Sequence, residues 1–256
     1  MIPLRDNVPG VHKPVALYVI MALTALAFLY QLGLTPRDNF WLAVTYGVVP
    51  ARYFVHPAGA WTGHVLTEIL PFFTYMFLHG GWLHLLMNMW VLWIFGDNVE
   101  DVMGPGRFAL FYVLCGLAAL AAQMFFSRTS MVPIIGASGA IAGVMGAYLL
   151  LYPHARVIVL IPIIFIPYFI ELPAVFFLTL WFALQFVSGW LSTSAATEGG
   201  VAFFAHAGGF IAGLVLMPFL RRKDRCYHCY DWKRRRYEFD STGRDWPFPP
   251  GSTDRT

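Results

Sequence analysis

Six apolar runs, each close to the roughly 20 residues that a helix needs to cross a hydrocarbon core, dominate this 256-residue chain and leave few folds open to it. They lie at Pro14–Leu34, from Gly80 to Phe95 and slightly beyond, and at Phe108–Phe126, Val132–Leu151, Leu172–Trp190 and Val201–Leu220. Inside a bilayer every backbone polar group must be bonded within the protein, so such runs read as helices. With 58% hydrophobic and only 12% charged residues, the composition excludes an ordinary soluble domain. The expected fold is an all-α polytopic membrane protein, a bundle of six transmembrane helices. A further apolar segment, Val157–Ile170, is short and contains Pro162 and Pro167, which remove backbone donors. It reads as an interfacial or re-entrant connection into the fifth helix.

Charge sets the orientation. With six spans, Arg37, Arg52 and Arg128 fall on one side and the remainder of the 17 Lys and Arg residues on the other. Basic loops stay in the cytoplasm, which places both termini there and makes the chain a multi-pass protein of the cell membrane. A seventh span would carry Arg221-Arg222-Lys223 across. The first run continues apolar past Ala25-Leu26-Ala27, so it reads as an uncleaved helix rather than a signal peptide. Residues 1–220 form the expected core and residues 221–256 a basic cytoplasmic tail. A basic segment beside a membrane meets anionic lipid headgroups, and no nucleic-acid partner is expected. Cys226-x-x-Cys229 in this tail is too small a ligand set for a zinc site, since Cys115 lies within the third helix. No cofactor or metal is expected.

Two polar residues stand out inside the runs. Ser138, in Gly136-Ala137-Ser138-Gly139, lies about six residues into the fourth helix, and His206 about five into the sixth. If both helices enter from the outer face, each residue sits roughly 8–9 Å below it at the standard rise. Gly139, Gly143 and Gly146 form a notched stripe on one helix, while His206, Gly209 and Gly213 share a face of the other. Small-residue stripes let two backbones approach closely, so Gly136, Gly139, Gly143, Gly209 and Gly213 are expected to support the packing that brings an imidazole to a serine. In the second helix His84 and Asn88 are spaced i, i+4 and share a face. Their N–H groups suit the oxyanion that develops during acyl transfer. His79 reads as a cross-link between helices.

At this point the chain resembles the rhomboid family of intramembrane serine proteases. The matching features are His84-x-x-x-Asn88, the stretch from Glu100 through Gly104-Pro105-Gly106-Arg107-Phe108, Gly136-Ala137-Ser138-Gly139, and Ala205-His206-Ala207-Gly208-Gly209 followed by Gly213, in the family's order. The resemblance implies Ser138 as nucleophile and His206 as base, with His84, Asn88 and the Ser138 backbone N–H around the oxyanion. It also implies that single-span membrane proteins are the substrates, cut in or near their transmembrane segments. Two positions depart from the family pattern. Ala142 stands one turn after the nucleophile, where many members place a bulky aromatic against the histidine, and the first loop lacks the usual Trp-Arg pair, leaving Trp41, Tyr46, Arg52 and Trp61 as interfacial anchors.

No Asp or Glu accompanies His206 in the outer half, so the expected machinery is a dyad. The Thr193–Gly200 loop is expected to cap the site and to act with the fifth helix as a substrate gate. Two other readings stay open: a catalytically silent relative that binds transmembrane helices, and a protein that uses His79, His84 and His206 as metal or haem ligands. The sequence leaves the oligomeric state unknown.

Overall fold

The computed structural model of the chain describes residues 1–55, 65–163, 166–194, 203–226, 228–234 and 236–237. Trp61, most of the expected Thr193–Gly200 cap and the tail after 237 lie outside the described residues. The order is β1 (Ile2–Arg5), α1 (Val15–Leu32), α2 (Pro36–Tyr46), α3 (Pro50–Phe54), α4 (Val65–Ile69), α5 (Pro71–Thr74), α6 (Trp82–Met103), α7 (Pro105–Phe126), α8 (Ser138–Leu151), β2 (Arg156–Ile163), β3 (Ile166–Pro173), α9 (Ala174–Ser194) and α10 (Phe203–Leu220), followed by a short ribbon, β4 (Tyr230–Asp231) and β5 (Arg236–Tyr237).

A helix stands at each of the six apolar runs, but they differ in reach. By length and composition α1, α7 and α10 can cross a membrane alone, and Thr67–Phe77 taken together with α6, with a bend of 78° between them, makes a fourth candidate. Helix α8 has 14 residues, about 21 Å at the standard rise, short of a full span. It tolerates this because it is the centre of the molecule, buried almost continuously from Gly139 to Tyr148. The segment before it, Val132–Ala137, is not helical. Its backbone is satisfied instead by Val48, which exchanges two hydrogen bonds with Ile134, and by the Tyr75 carbonyl, which accepts from Gly136 N–H at 2.8 Å. Irregular backbone at membrane depth survives where protein surrounds it.

Glycine decides how α8 meets α10. A Cβ on Gly213 would overlap the Gly143 carbonyl, and one on Gly209 would overlap that of Gly139. The two backbones therefore touch, which only glycine permits. Gly136 lies before α8 rather than on this stripe; its φ of 122° is a conformation that side chains disfavour, and a Cβ there would crowd the His84 ring at 2.8 Å.

The fold is not all-α. Val157–Ile170 forms most of a β-hairpin, with β2 and β3 antiparallel from Arg156↔Pro173 to Ile163↔Ile166, and β1 adds a third strand through Ile2↔Leu160 and Pro3↔Val159. The Val and Ile side chains suit a strand. Pro162 and Pro167 oppose each other beyond the last β1 partner, an edge position where proline is tolerated. This corrects the reading of a re-entrant connection.

The end of the bundle nearest the sheet is tied together by the Glu100–Phe108 stretch. The Glu100 carboxylate accepts from Ala16 N–H and Leu17 N–H at 2.9 and 2.7 Å, an anion at the start of α1. Asp101 accepts from Val11 N–H and His12 N–H. Gly104, at φ 76°, turns the chain from α6 into α7, and Arg107 donates to the Leu220 carbonyl that ends α10.

Candidate active site

Ser138 is the first residue of α8. The amides of a helix's first turn have no acceptor four residues back, so Ser138 sits where N–H donors and the positive end of the helix dipole converge. The expectation that it lay six residues inside the helix fails because Val132–Ala137 is irregular rather than helical. His206 stands near the start of α10, whose Ala205 N–H is held by Gln123 Oε1 of α7 at 3.1 Å. Both key residues thus lie at helix beginnings, brought level by the Gly139–Gly209 and Gly143–Gly213 contacts.

The Ser138 Oγ lies 2.8 Å from His206 Nε2, and His206 Nδ1 lies 2.8 Å from Gln185 Oε1 on α9. His206 is 8% exposed, whereas Ser138 is half-buried. The indole of Trp181, also on α9, packs against the imidazole with ring centroids 5.8 Å apart and planes inclined at 36°. Ala142 is fully buried and small, and the aromatic neighbour of the histidine comes from α9 instead.

Helix α6 supplies the other wall. The Asn88 amide donates to His79 Nε2 at 2.9 Å. His79 is in turn clasped by Gln31 of α1, which accepts from its N–H and donates to its carbonyl. His79 therefore joins α1 to the α6 face, as a cross-link would. Its ring meets that of His84 edge-on, with centroids 4.9 Å apart. His84 Nδ1 faces Gly80 N–H at 3.4 Å, an acceptor role that leaves the proton on Nε2. That nitrogen lies 2.8 Å from the point where a Cβ on Gly136, two residues before Ser138, would stand, and Asn88 Nδ2 lies 3.9 Å from the same point.

Ser138, His206, His84 and Asn88 are thus brought to one place, lined by donors on one side and an imidazole on the other. Gln185 and Trp181 were missed by sequence reasoning. A signal existed: Gln185 is a lone amide within an apolar run, and intramembrane polar groups mark pairing or function. Among the described residues, no three His, Cys, Asp or Glu side chains converge as a metal-binding group. Trp41 and Tyr46 of α2 are exposed, consistent with an interfacial belt, while Arg52 donates to the Val44 carbonyl at 3.3 Å.

A model of the Rhomboid domain matches residues 66–223, more than half of the chain, which therefore belongs to the rhomboid family of membrane proteins. Similar proteins include Rhomboid protease GluP of Bacillus subtilis, 34% identical over 137 residues, covering 54% of this chain and 24% of that protein. Rhomboid protein 1, mitochondrial, of Saccharomyces cerevisiae is 27% identical over 144 residues, covering 54% of this chain and 38% of the relative. RHOMBOID-like protein 6, mitochondrial, of Arabidopsis thaliana is 41% identical over 76 residues, 30% of this chain and 24% of the relative. The chain thus matches well under half the length of each of these relatives.

Proposed function

We propose that the chain is an intramembrane serine endopeptidase that cleaves single-span membrane proteins in or near their transmembrane segments. The observation that carries this reading is the 2.8 Å approach of Ser138 Oγ to His206 Nε2 across the α8–α10 contact. In that geometry the serine hydroxyl donates to the imidazole lone pair. His206 takes the proton as Oγ attacks the scissile carbonyl, then returns it to the leaving amine. The acyl-enzyme is hydrolysed by water, which the half-buried Ser138 can receive. The oxyanion would lie among the first-turn amides of α8, the His84 Nε2–H and the second N–H of the Asn88 amide, donors held in place before charge develops.

In the cell membrane, six crossings with both termini and the 221–256 tail in the cytoplasm would open the site toward the outer face, as the Lys and Arg distribution favours. The reading requires no cofactor, and no nucleic acid enters it. The principal alternative is a silent relative that binds transmembrane helices. The test is incubation of the detergent-purified protein with a panel of single-span substrates. Cleavage by the wild type and none by Ser138→Ala is the expected result; no cleavage of any substrate, with Ser138 unreactive toward a serine-directed phosphonate, favours the silent relative.

A further inference from the structure

We propose that Gln185 is a positioning residue that fixes the tautomer of His206, with Trp181 one turn earlier holding the ring's plane, so that helix α9 completes the catalytic base. The inference rests on the reading of Ser138 and His206 as nucleophile and base.

An imidazole can accept the serine proton at Nε2 only if its own proton resides on Nδ1. In water the two tautomers exchange freely; in a buried site a neighbour must choose. Gln185 Oε1, 2.8 Å from Nδ1, is an acceptor and selects the Nδ1–H form. The same bond strengthens once His206 is protonated during attack, because a hydrogen bond from a cation is roughly twice as strong as a neutral one. A carboxylate would do this more strongly, yet it would bring an ionised group into the apolar interior at a cost of several kcal/mol on the order of a buried charge. An amide gives the orientation without the charge. Among the described residues, the groups on His206 are then Ser138 from α8, Gln185 and Trp181 from α9, and, from α6, His84 as the nearby titratable neighbour.

Trp181 and Gln185 are i, i+4 on α9 and so share its face toward α10. One helix thereby supplies both the wall behind the imidazole and the acceptor at its far nitrogen. Ala142, on the opposite helix, is too small to hold the ring. The base is correctly set only while α9 lies against α10, and an outward movement of α9 removes both supports together.

A purely structural role, in which Gln185 merely satisfies its own amide in an apolar helix, makes a different forecast, and kinetics separate the two. Purified full-length protein is assayed in proteoliposomes with a fluorogenic single-span substrate, using wild type, Ser138→Ala, Gln185→Leu, Gln185→Met and Gln185→Glu. The Leu and Met variants lack the amide oxygen and are expected to lower kcat by roughly 10–100-fold, by analogy with loss of the orienting partner of a metal-bound histidine, with KM changed less than about two-fold. Glu offers an oxygen at the same reach whether ionised or neutral, and is expected to recover most of kcat. Thermal midpoints of the Leu and Met variants should stay within a few degrees of wild type; Met conserves length if Leu disturbs packing. Ser138-dependent cleavage with kcat unmoved in the Leu and Met variants would overturn this inference alone, as would equal losses in Leu, Met and Glu. Cleavage that survives Ser138→Ala would overturn the dyad itself.

Discussion

If Ser138 and His206 act as the proposed nucleophile and base, they are useful only to each other, because a hydroxyl without the imidazole is a poor nucleophile and the imidazole without the hydroxyl has nothing to deprotonate. Ser138→Ala and His206→Ala should therefore bring cleavage to the same floor, and the double variant should fall no lower. Initial rates on a single-span substrate check this; a double variant much slower than either single one would show that the two act separately. Asn88 is expected to behave differently. One of its amide hydrogens is committed to His79, and the first-turn amides of α8 persist without it, so Asn88→Ala should retain some activity. Loss of one oxyanion donor costs about 10²–10³ in rate, and the loss should fall on kcat, because the contact tightens as negative charge develops. A pure KM effect would make Asn88 a substrate-positioning residue. At this scale the sequence is unusually legible, since an isolated polar residue in an apolar run is conspicuous. Gln185 was equally conspicuous, but its partner depends on which helices are neighbours, and periodicity within one helix carries no such information.

Helices α8 and α10 meet through backbone rather than side chains, so their contact cannot yield by a rotamer change. Gly213→Ala should destabilise the protein by about 1–3 kcal/mol, the usual cost of overpacking, or more. Gly106→Ala, on α7 with nothing within 4 Å of the added carbon, serves as the control and should leave the thermal midpoint unmoved. Equal midpoints for the two variants would mean that the helices separate easily. The element boundaries were less legible than the elements. Val132–Leu151 reads as one apolar run, yet its first residues leave the helix because Val48 and Tyr75 supply backbone partners from distant sequence. The β2–β3 hairpin was hidden for the same reason: a run of Val and Ile is shared by strands and by membrane-seeking segments, and its third strand comes from the distant N-terminal segment.

The whole molecule is closed at one end by its N-terminal segment, and this closure carries a pH dependence. Asp6 accepts from the Tyr148 hydroxyl and from Asn98 Nδ2. Burial pushes its carboxyl up to about 7, against the lowering effect of the Tyr148 bond, with Asp97 adding to the rise. Between an unfolded value near 4 and that folded value, the folded protein holds a proton that the unfolded chain has released. Stability from this group is therefore full below about pH 4, declines as pH rises and is lost above about 7. Melting in detergent from pH 5 to 8 should show a decline for wild type that flattens in Asp6→Asn; parallel curves would remove Asp6 as the cause. The orientation of the molecule is separately testable. Cys226 and Cys229 are joined in a disulfide and Cys229 is buried, so neither is a convenient label. Lys233→Cys, exposed and placed in a background with the three natural cysteines replaced, should react with an impermeant thiol reagent only after permeabilisation. Labelling in intact cells would put the tail outside, where disulfides are common, and would overturn the inside-positive assignment.

The pairing of β1 with β2 also makes the two ends of the bundle mechanically unequal. A pull on Leu220 is applied to α10 directly. A pull on Met1 must first unzip the ladder from the Ile2–Leu160 pair, and β2 runs through β3 into Pro173 and so into the first residue of α9. Residue 1 is therefore a handle on the sheet before it is one on the first apolar helix, and a tether or bulky fusion placed there loads α6 through the Trp90 bond to the Pro3 carbonyl and α9 through β3.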